Sequence, residues 1–268
     1  MSQSTVIIVM LLIGLLTGVS TGLTGASGVA IVVPLLTLFL GFSIHAAIGT
    51  SLVVDVVASL AVVYTYYRHG NIDIRSGVWV LLGSITGAQI GVLVAARLPD
   101  SGLGIGFGLG MIVMGLIIWL RNSKSKKVSS PAPDELAEKP SRMQIIKALL
   151  VGVGIGLLTG IMGAGGGMMI LFALIFVLKF PLHKAIGTST LIMTITALSG
   201  ALGYAMHGEV DILGGIVIGI GAVAGGLASA RLANSFSEKK LAQVAGVLFV
   251  ALGIVMTFIL VRANTIML

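Results

Sequence analysis

The hydrophobic positions of this chain form ten apolar segments, five on each side of a polar stretch in the middle. Most have about 20 residues, the length with which a helix crosses a bilayer core of ~30 Å. None shows the alternation of apolar and polar residues that is typical of a barrel strand. The pattern predicts an all-α polytopic membrane protein. The segments are 5–24, 29–41, 48–67, 76–97 and 102–120, then 144–161, 167–179, 186–206, 212–231 and 240–261.

The second segment of each half is short. Residues 29–41 and 167–179 would rise only about 20 Å as helices, so neither crosses the bilayer alone without thinning it. Two topologies follow, and the sequence does not choose between them. Either all ten segments cross, or the first two of each half form a re-entrant hairpin and the other six cross.

The two halves are related by a duplication. Shifting the chain by 138 residues pairs 14–73 with 152–211, and 21 of these 60 positions are identical. After a gap of four residues, 87–98 also matches 221–232. This comparison predicts a first repeat at 1–120 and a second at 144–268, joined by a solvated linker at 121–143 that is rich in charge, Pro and Ser.

Composition and charge place these repeats in a membrane. Hydrophobic residues make up 57% of the chain and charged residues 9%, with a mean hydropathy of +1.14, which leaves too little polar surface for a soluble globule. The net charge of +7 comes from short connections between apolar segments, so it indicates topology and not a nucleic-acid partner. The partner that it indicates is the lipid bilayer. No cofactor is indicated, and the chain has no Cys for a thiolate metal site.

The distribution of Lys and Arg predicts the orientation. If the linker is cytoplasmic, 14 of the 16 basic residues lie on its side, and only Arg97 and Arg262 lie outside, as the positive-inside rule requires. Both termini are then outside. An odd number of crossings in each half makes the two repeats inverted relative to each other. The apolar N-terminus has no preceding Lys or Arg, so we expect it to stay as the first helix and not to be cleaved as a signal peptide.

Glycine interrupts both halves at matching places. GLTGASGV at 22–29 matches GIMGAGGG at 160–167, and HAAIGTS at 45–51 matches HKAIGTS at 183–189. Inverted repeats with Gly-interrupted segments at corresponding positions are typical of secondary transporters.

These motifs, each followed by a short apolar segment and a GTS helix start, resemble the TauE/SafE family of sulfite and organosulfonate permeases. The resemblance covers nearly the whole chain outside the linker. It implies transport of a small sulfur-containing anion across the bacterial inner membrane, with sulfite or sulfoacetate exported by some members. A homodimer is also compatible with the sequence.

The Gly-rich breaks and the GTS hydroxyls are the candidate substrate site. Freed backbone N–H groups next to a helix N-terminus can bind an anion, and hydroxyls can cap the helix or bond anion oxygens. The competing interpretation is that the glycines only let helices approach closely and that the hydroxyls only cap, as we expect for the GxxxG pairs at 87–91 and 221–225. The candidate residues are Gly25, Ala26, Ser27, Gly28, Thr50, Ser51, Gly163, Gly165, Gly166, Gly167, Thr188 and Ser189.

Three titratable residues are candidates for proton coupling: Asp55, His45 and His183. Asp55 is the one acid well inside an apolar segment, so it is expected to face the protein interior. Its alternative role is to pair with a hydroxyl or with Arg97. The two histidines precede the GTS helices and are alternatively interfacial capping groups. Arg97 and Arg231 are expected to be anchors at the membrane interface.

Two other function classes fit parts of the sequence. Residues 25–28 read GASG, similar to the GxSG of rhomboid-type intramembrane proteases, which would make Ser27 a nucleophile. A passive anion channel would carry the same features as a carrier. The sequence favours a carrier that is not an enzyme, in which two Gly-rich breaks meet near the midplane and bind one anion by alternating access.

Overall fold

The computed structural model describes residues 3–25, 27–99, 142–162, 166–176, 178 and 180–236. Over these residues the fold is all-helical, and five helices are long and apolar enough to cross a membrane, so the predicted fold class is confirmed. Two predicted segments, 102–120 and 240–261, lie outside the described residues, as does most of the predicted linker. The helices are α1 (Gln3–Thr24), α2 (Val29–Leu40), α3 (Ile44–Arg68), α4 (Ile74–Ala95), α5 (Arg142–Met162), α6 (Gly166–Phe176), α7 (Leu182–Met206) and α8 (Ile212–Ser235).

The second helix of each repeat is half-length. Helix α2 has 12 residues and α6 has 11, which gives a rise of about 18 and 16 Å. Helix α2 begins beside Thr17 of α1 and Asp55, the twelfth of the 25 residues of α3. It therefore starts near mid-height and ends at Gly41, whose φ of 70° turns the chain towards α3. Each repeat thus opens with a helix of 21 or 22 residues followed by a half-length helix that returns.

The two repeats run in opposite directions. A side chain on Gly49 of α3 would touch Tyr204 near the end of α7, and one on Gly187 near the start of α7 would touch Tyr66 near the end of α3. Helices α3 and α7 are therefore antiparallel. Because they are the equivalent helices of the two repeats, the repeats are inverted along the bundle axis.

Hydrogen bonds repeat at the spacing of 138 residues. The Tyr66 hydroxyl donates to the Gly22 carbonyl at 3.3 Å, and the Tyr204 hydroxyl donates to the Gly160 carbonyl at 3.0 Å. The hydrogen bonds of the GTS threonines, which join the two repeats, follow the same spacing. The bundle is therefore built around a pseudo-twofold axis.

Glycine-lined interfaces hold the outer helices together. Helices α1 and α8 approach so closely that a Cβ on Gly18 would collide with the Ala222 carbonyl, and α4 and α5 do the same at Gly156 and the Ser84 carbonyl. The GxxxG glycines at 87–91 and 221–225 lie in these interfaces, so their predicted packing role is confirmed.

The equivalence of 138 residues continues through the fourth helices without a gap. Gly83 packs on the Leu149 carbonyl and Gly221 packs on the Leu11 carbonyl, so both partners are shifted by 138. The four-residue gap in the sequence comparison is therefore wrong. It misaligns the fourth helices by about one helical turn. Small residues recur every four positions in both helices, which makes neighbouring turns look alike in sequence.

The described helices form two bundles that do not coincide with the two repeats. Helices α1, α2, α3 and α8 pack together, as do α4, α5, α6 and α7, and the extensive contact between the two bundles is that of α3 with α7. Each bundle therefore contains three helices of one repeat and the fourth helix of the other repeat. We name them bundle A, with α1, α2, α3 and α8, and bundle B, with α4, α5, α6 and α7.

Apolar and charged residues are layered along the axis. One hydrophobic cluster surrounds the start of α3 and the end of α7, and a second surrounds the end of α3 and the start of α7. Among the described basic residues, Arg97 lies alone at the end where α3 starts. The others lie at the opposite end: Arg68, Arg75, Arg142, Lys147, Lys184 and Arg231.

Candidate functional site

The break between α1 and α2 places a helix N-terminus inside the protein. Gly25 has a φ of 66°, which favours glycine, and its N–H donates to the Thr21 carbonyl at 2.7 Å, closing α1. Gly28 then precedes the first residue of α2, Val29. Since a helix N-terminus carries a partial positive charge, this position attracts an anion.

The carboxylate of Asp55 lies at the N-terminus of α2, where an anion would bind. One carboxylate oxygen accepts a hydrogen bond from the Ser27 hydroxyl, and the other accepts from the Gly28 N–H at 3.0 Å. The Ser27 oxygen in turn accepts from the Val29 N–H at 3.2 Å. Asp55 is 1% exposed. The alternative in which Asp55 pairs with a hydroxyl is therefore correct for Ser27, whereas Arg97 is exposed beyond the end of α4.

Thr17 contributes a hydroxyl that the sequence reasoning missed. Its side chain is fully buried against Gly28, with its methyl group so close that a Cβ on Gly28 would collide with it. The Thr17 hydroxyl lies 3.4 Å from that Cβ position and has no hydrogen-bond partner among the described residues. A signal was available, because Thr17 interrupts an apolar segment at a position where the second repeat has Ile155.

The two Gly-rich breaks meet. A Cβ on Gly167, the second residue of α6, would collide with the Gly25 carbonyl and with the Met193 sulfur, and would lie 3.0 Å from the Ser27 nitrogen. Met193 is the residue equivalent to Asp55, so the second repeat has a thioether where the first has a carboxylate. Gly166 is the first residue of α6. The other predicted break residues, Ala26, Gly163 and Gly165, lie outside the described residues.

The GTS threonines join repeats near the ends of the bundle. Thr50 accepts a hydrogen bond from the Asp211 N–H, and Thr188 accepts from the Asp73 N–H, both at 2.9 Å. The capping role expected for GTS is wrong, because α3 begins four residues before the predicted segment and its N-cap is Ser43. Helix α7 likewise begins at Leu182.

The GTS serines bond within their own helices. The Ser51 hydroxyl donates to the Ile48 carbonyl at 2.7 Å, and the Ser189 hydroxyl donates to the Ile186 carbonyl at 3.0 Å. The Ser189 oxygen also lies 3.0 Å from the position of a Cβ on Gly25. Ser189 is thus a predicted GTS hydroxyl that lies against the break.

A row of buried hydroxyls connects the site to the interface between the bundles. Thr194 of α7 donates to Ser59 of α3 at 2.7 Å, and Ser59 donates to the Asp55 carbonyl oxygen one turn earlier. Thr190 lies one turn before Thr194, with its hydroxyl 3.0 Å from the Cβ position of Gly25. The sequence reasoning missed these three hydroxyl residues, although Thr190 directly follows Ser189 and Thr194 lies one helical turn after Thr190.

The histidines lie at the ends of the bundles. His45 Nε2 is 3.0 Å from the Ala95 carbonyl and His183 Nε2 is 3.3 Å from the Ala233 carbonyl, so each joins bundle A to bundle B, at opposite ends. The other two histidines contact carbonyls of their own helices. Ser27 bonds a carboxylate, which differs from the Ser–His pair that a serine protease needs. Over the described residues, no group of three or more His, Asp or Glu could hold a metal ion.

Comparison with known proteins identifies a family for this chain. Residues 10–256 match the family described as Sulfite exporter TauE/SafE. The chain is 25% identical to the probable membrane transporter protein YunE of Bacillus subtilis, with 92% of the chain and 95% of YunE covered. It is 32% identical to a probable membrane transporter protein of Xylella fastidiosa, with 90% of the chain and 91% of the relative covered. No solved structure matches significantly. The chain is a membrane transporter protein that belongs to the sulfite exporter TauE/SafE family.

Proposed function

We propose that the protein is a secondary transporter that moves a small sulfur-containing anion, such as sulfite or an organosulfonate, across the inner membrane. The observation that carries this proposal is the contact of the two breaks, in which Gly167 lies against Gly25 and Ser27 between the antiparallel helices α3 and α7. Two buried helix N-termini that converge near mid-height are a favourable environment for an anion. The family description supports sulfite as one candidate substrate.

The arrangement of the bundles supports a mechanism of alternating access. Bundles A and B meet mainly along α3 and α7, and the pseudo-twofold axis exchanges them. The moving units of this transporter are these bundles, which differ from the sequence repeats by the exchange of α4 and α8. The contacts of His45 and His183 hold the bundles together at opposite ends, so opening one end would break one contact and retain the other.

The orientation that we propose puts the basic end in the cytoplasm. Six of the seven described basic residues lie at that end, which is the distribution of the positive-inside rule. The linker 121–143 would then be cytoplasmic and both termini outside.

Counterflow in proteoliposomes tests the transport function. Vesicles loaded with unlabelled sulfite or methanesulfonate are diluted into a trace of the labelled anion. A carrier concentrates label transiently, whereas a passive channel only equilibrates it. We expect Gly167→Leu to lower the counterflow rate by at least about tenfold, because the new side chain fills the contact between the breaks.

Gly154→Leu is the matched control. Gly154 lies in α5 with nothing within 4 Å of a Cβ, so the same substitution there should leave counterflow near the wild-type rate. Equal rates for the wild type and Gly167→Leu, with both inserted and folded, would contradict a site at the two breaks. Equilibration of label without a transient maximum would instead identify a channel.

A further inference from the structure

The first repeat contains a donor set that the second repeat lacks. Around the N-terminus of α2 lie the Thr17 hydroxyl, the Ser27 hydroxyl and the Gly28 N–H, with Asp55 bound to the last two. The equivalent positions of the second repeat are occupied by Ile155, Gly165, Gly166 and Met193. Any ligand chemistry that depends on these side chains therefore belongs to the first repeat alone.

We infer that the Asp55 carboxylate competes with the transported anion for the Ser27 hydroxyl and the Gly28 N–H. Protonation of Asp55 releases these two donors, so that one proton moves together with one oxyanion. This inference rests on the proposed transport function. The proton binds a carboxylate oxygen of Asp55. The Ser27 hydroxyl and the Gly28 N–H then donate to oxygens of the anion instead of to Asp55. When the anion leaves, Asp55 loses its proton and returns to the donors.

The unpartnered hydroxyl of Thr17 indicates the shape of the ligand. A carboxylate has two oxygens, and both oxygens of Asp55 already accept a hydrogen bond, while Thr17 is left without a partner among the described residues. Burying a hydroxyl without a partner is unfavourable. A head group with three oxygens, such as sulfite or a sulfonate, could accept from Thr17, Ser27 and Gly28 together.

Among the described residues around Asp55, no side-chain cation lies where it could replace the proton. Helices α1 and α2 have no ionisable residue. The ionisable residues of the other helices around Asp55 lie in or near their end turns. They are His45, Tyr64, Tyr66, Tyr67 and Arg68 of α3, His183, Lys184 and Tyr204 of α7, and Arg231 of α8. Two anions at one helix N-terminus would repel each other strongly in a medium of low dielectric constant, so the oxyanion requires a neutral Asp55.

The inference is tested in proteoliposomes with methanesulfonate, whose charge is constant across the pH range, and with sulfite. In the wild type, an acidic exterior should drive uphill uptake, and the external medium should lose about one proton per anion taken up, since one carboxylate is titrated. Asp55→Asn should keep exchange of labelled for unlabelled anion while losing uphill uptake and its pH dependence. Thermal unfolding and gel filtration establish that this variant is folded, and the proton count in the wild type tests coupling independently of it.

Thr17→Val tests the binding part of the inference. It should raise KM about tenfold and retain the response to the pH gradient, because it removes one hydrogen bond to the anion and no titratable group. Thr159→Val is its control, since the Thr159 hydroxyl is equally buried and bonds the Ile155 carbonyl of its own helix.

The outcomes separate this inference from the transport function. No flux of either anion in the wild type would overturn both. Flux that keeps its pH response in Asp55→Asn, or that is driven by a Na⁺ gradient at constant pH, would overturn the inference and leave the transporter in place.

Discussion

At the scale of single residues, the break shows why glycines interrupt an apolar segment. Gly25 needs its left-handed backbone, whereas Gly22 and Gly160 allow neighbouring helices to approach. The interpretation that glycines let helices approach closely is therefore correct for Gly22 and Gly160. Anion binding by the amides that follow Gly25 stays a prediction, and in this conformation Asp55 occupies the position where an anion would bind.

Gly25→Ala separates backbone strain from crowding. A left-handed alanine costs about 1–2 kcal/mol, and the new Cβ would also lie 3.0 Å from the hydroxyl oxygens of Ser189 and Thr190. Gly70 has nearly the same φ of 69° with nothing within 4 Å of a Cβ. In thermal unfolding of the solubilised protein, Gly25→Ala should therefore lower Tm more than Gly70→Ala. Equal shifts would show that the break has room for a side chain.

At the scale of helices, half-length helices make an internal site available. Helix α2 begins near mid-height because it has only 12 residues, so its first N–H groups face protein and not water. The GTS threonines act at this scale as well. Each fixes the start of the fourth helix of the other repeat, α8 for Thr50 and α4 for Thr188.

Thr50→Val and Thr188→Val should act on stability and not on substrate affinity. Each removes the acceptor of a backbone N–H, with an expected cost of about 1 kcal/mol in the free energy of unfolding. Thr86→Val is the control, since Thr86 is exposed and bonds only its own helix. Thermal unfolding and KM are measured on the same preparations. A large rise in KM with Tm unchanged would instead support the substrate role that the sequence suggested.

At the scale of the whole molecule, inversion places equivalent loops of the two repeats at opposite ends of the bundle. His69 follows α3 and His207 follows α7, and the two positions are equivalent and exposed. Because α3 and α7 are antiparallel, these loops lie at opposite ends of the bundle. In the orientation that we propose from the positive-inside rule, His69 is in the cytoplasm with the basic end and His207 is outside.

Cysteine labelling tests this topology cleanly, because the chain has no Cys. A membrane-impermeant maleimide should label His207→Cys in intact cells and should label His69→Cys only after the membrane is permeabilised. Reversal of the two results would keep the inverted repeats and reverse the orientation. Labelling of both residues from the same side would contradict the inversion itself.

The sequence alone determined the features that depend on local composition and internal similarity. The lengths of the apolar segments predicted the start of every described helix to within four residues. The duplication and the glycines located the breaks. Only the tertiary structure decided which groups meet. The carboxylate of Asp55 at α2, the unpartnered hydroxyl of Thr17 and the exchange of α4 and α8 between bundles all depend on packing between segments distant in sequence. Local patterns carry no information about such contacts, because the same apolar helix packs equally well against several neighbours until the whole bundle is assembled.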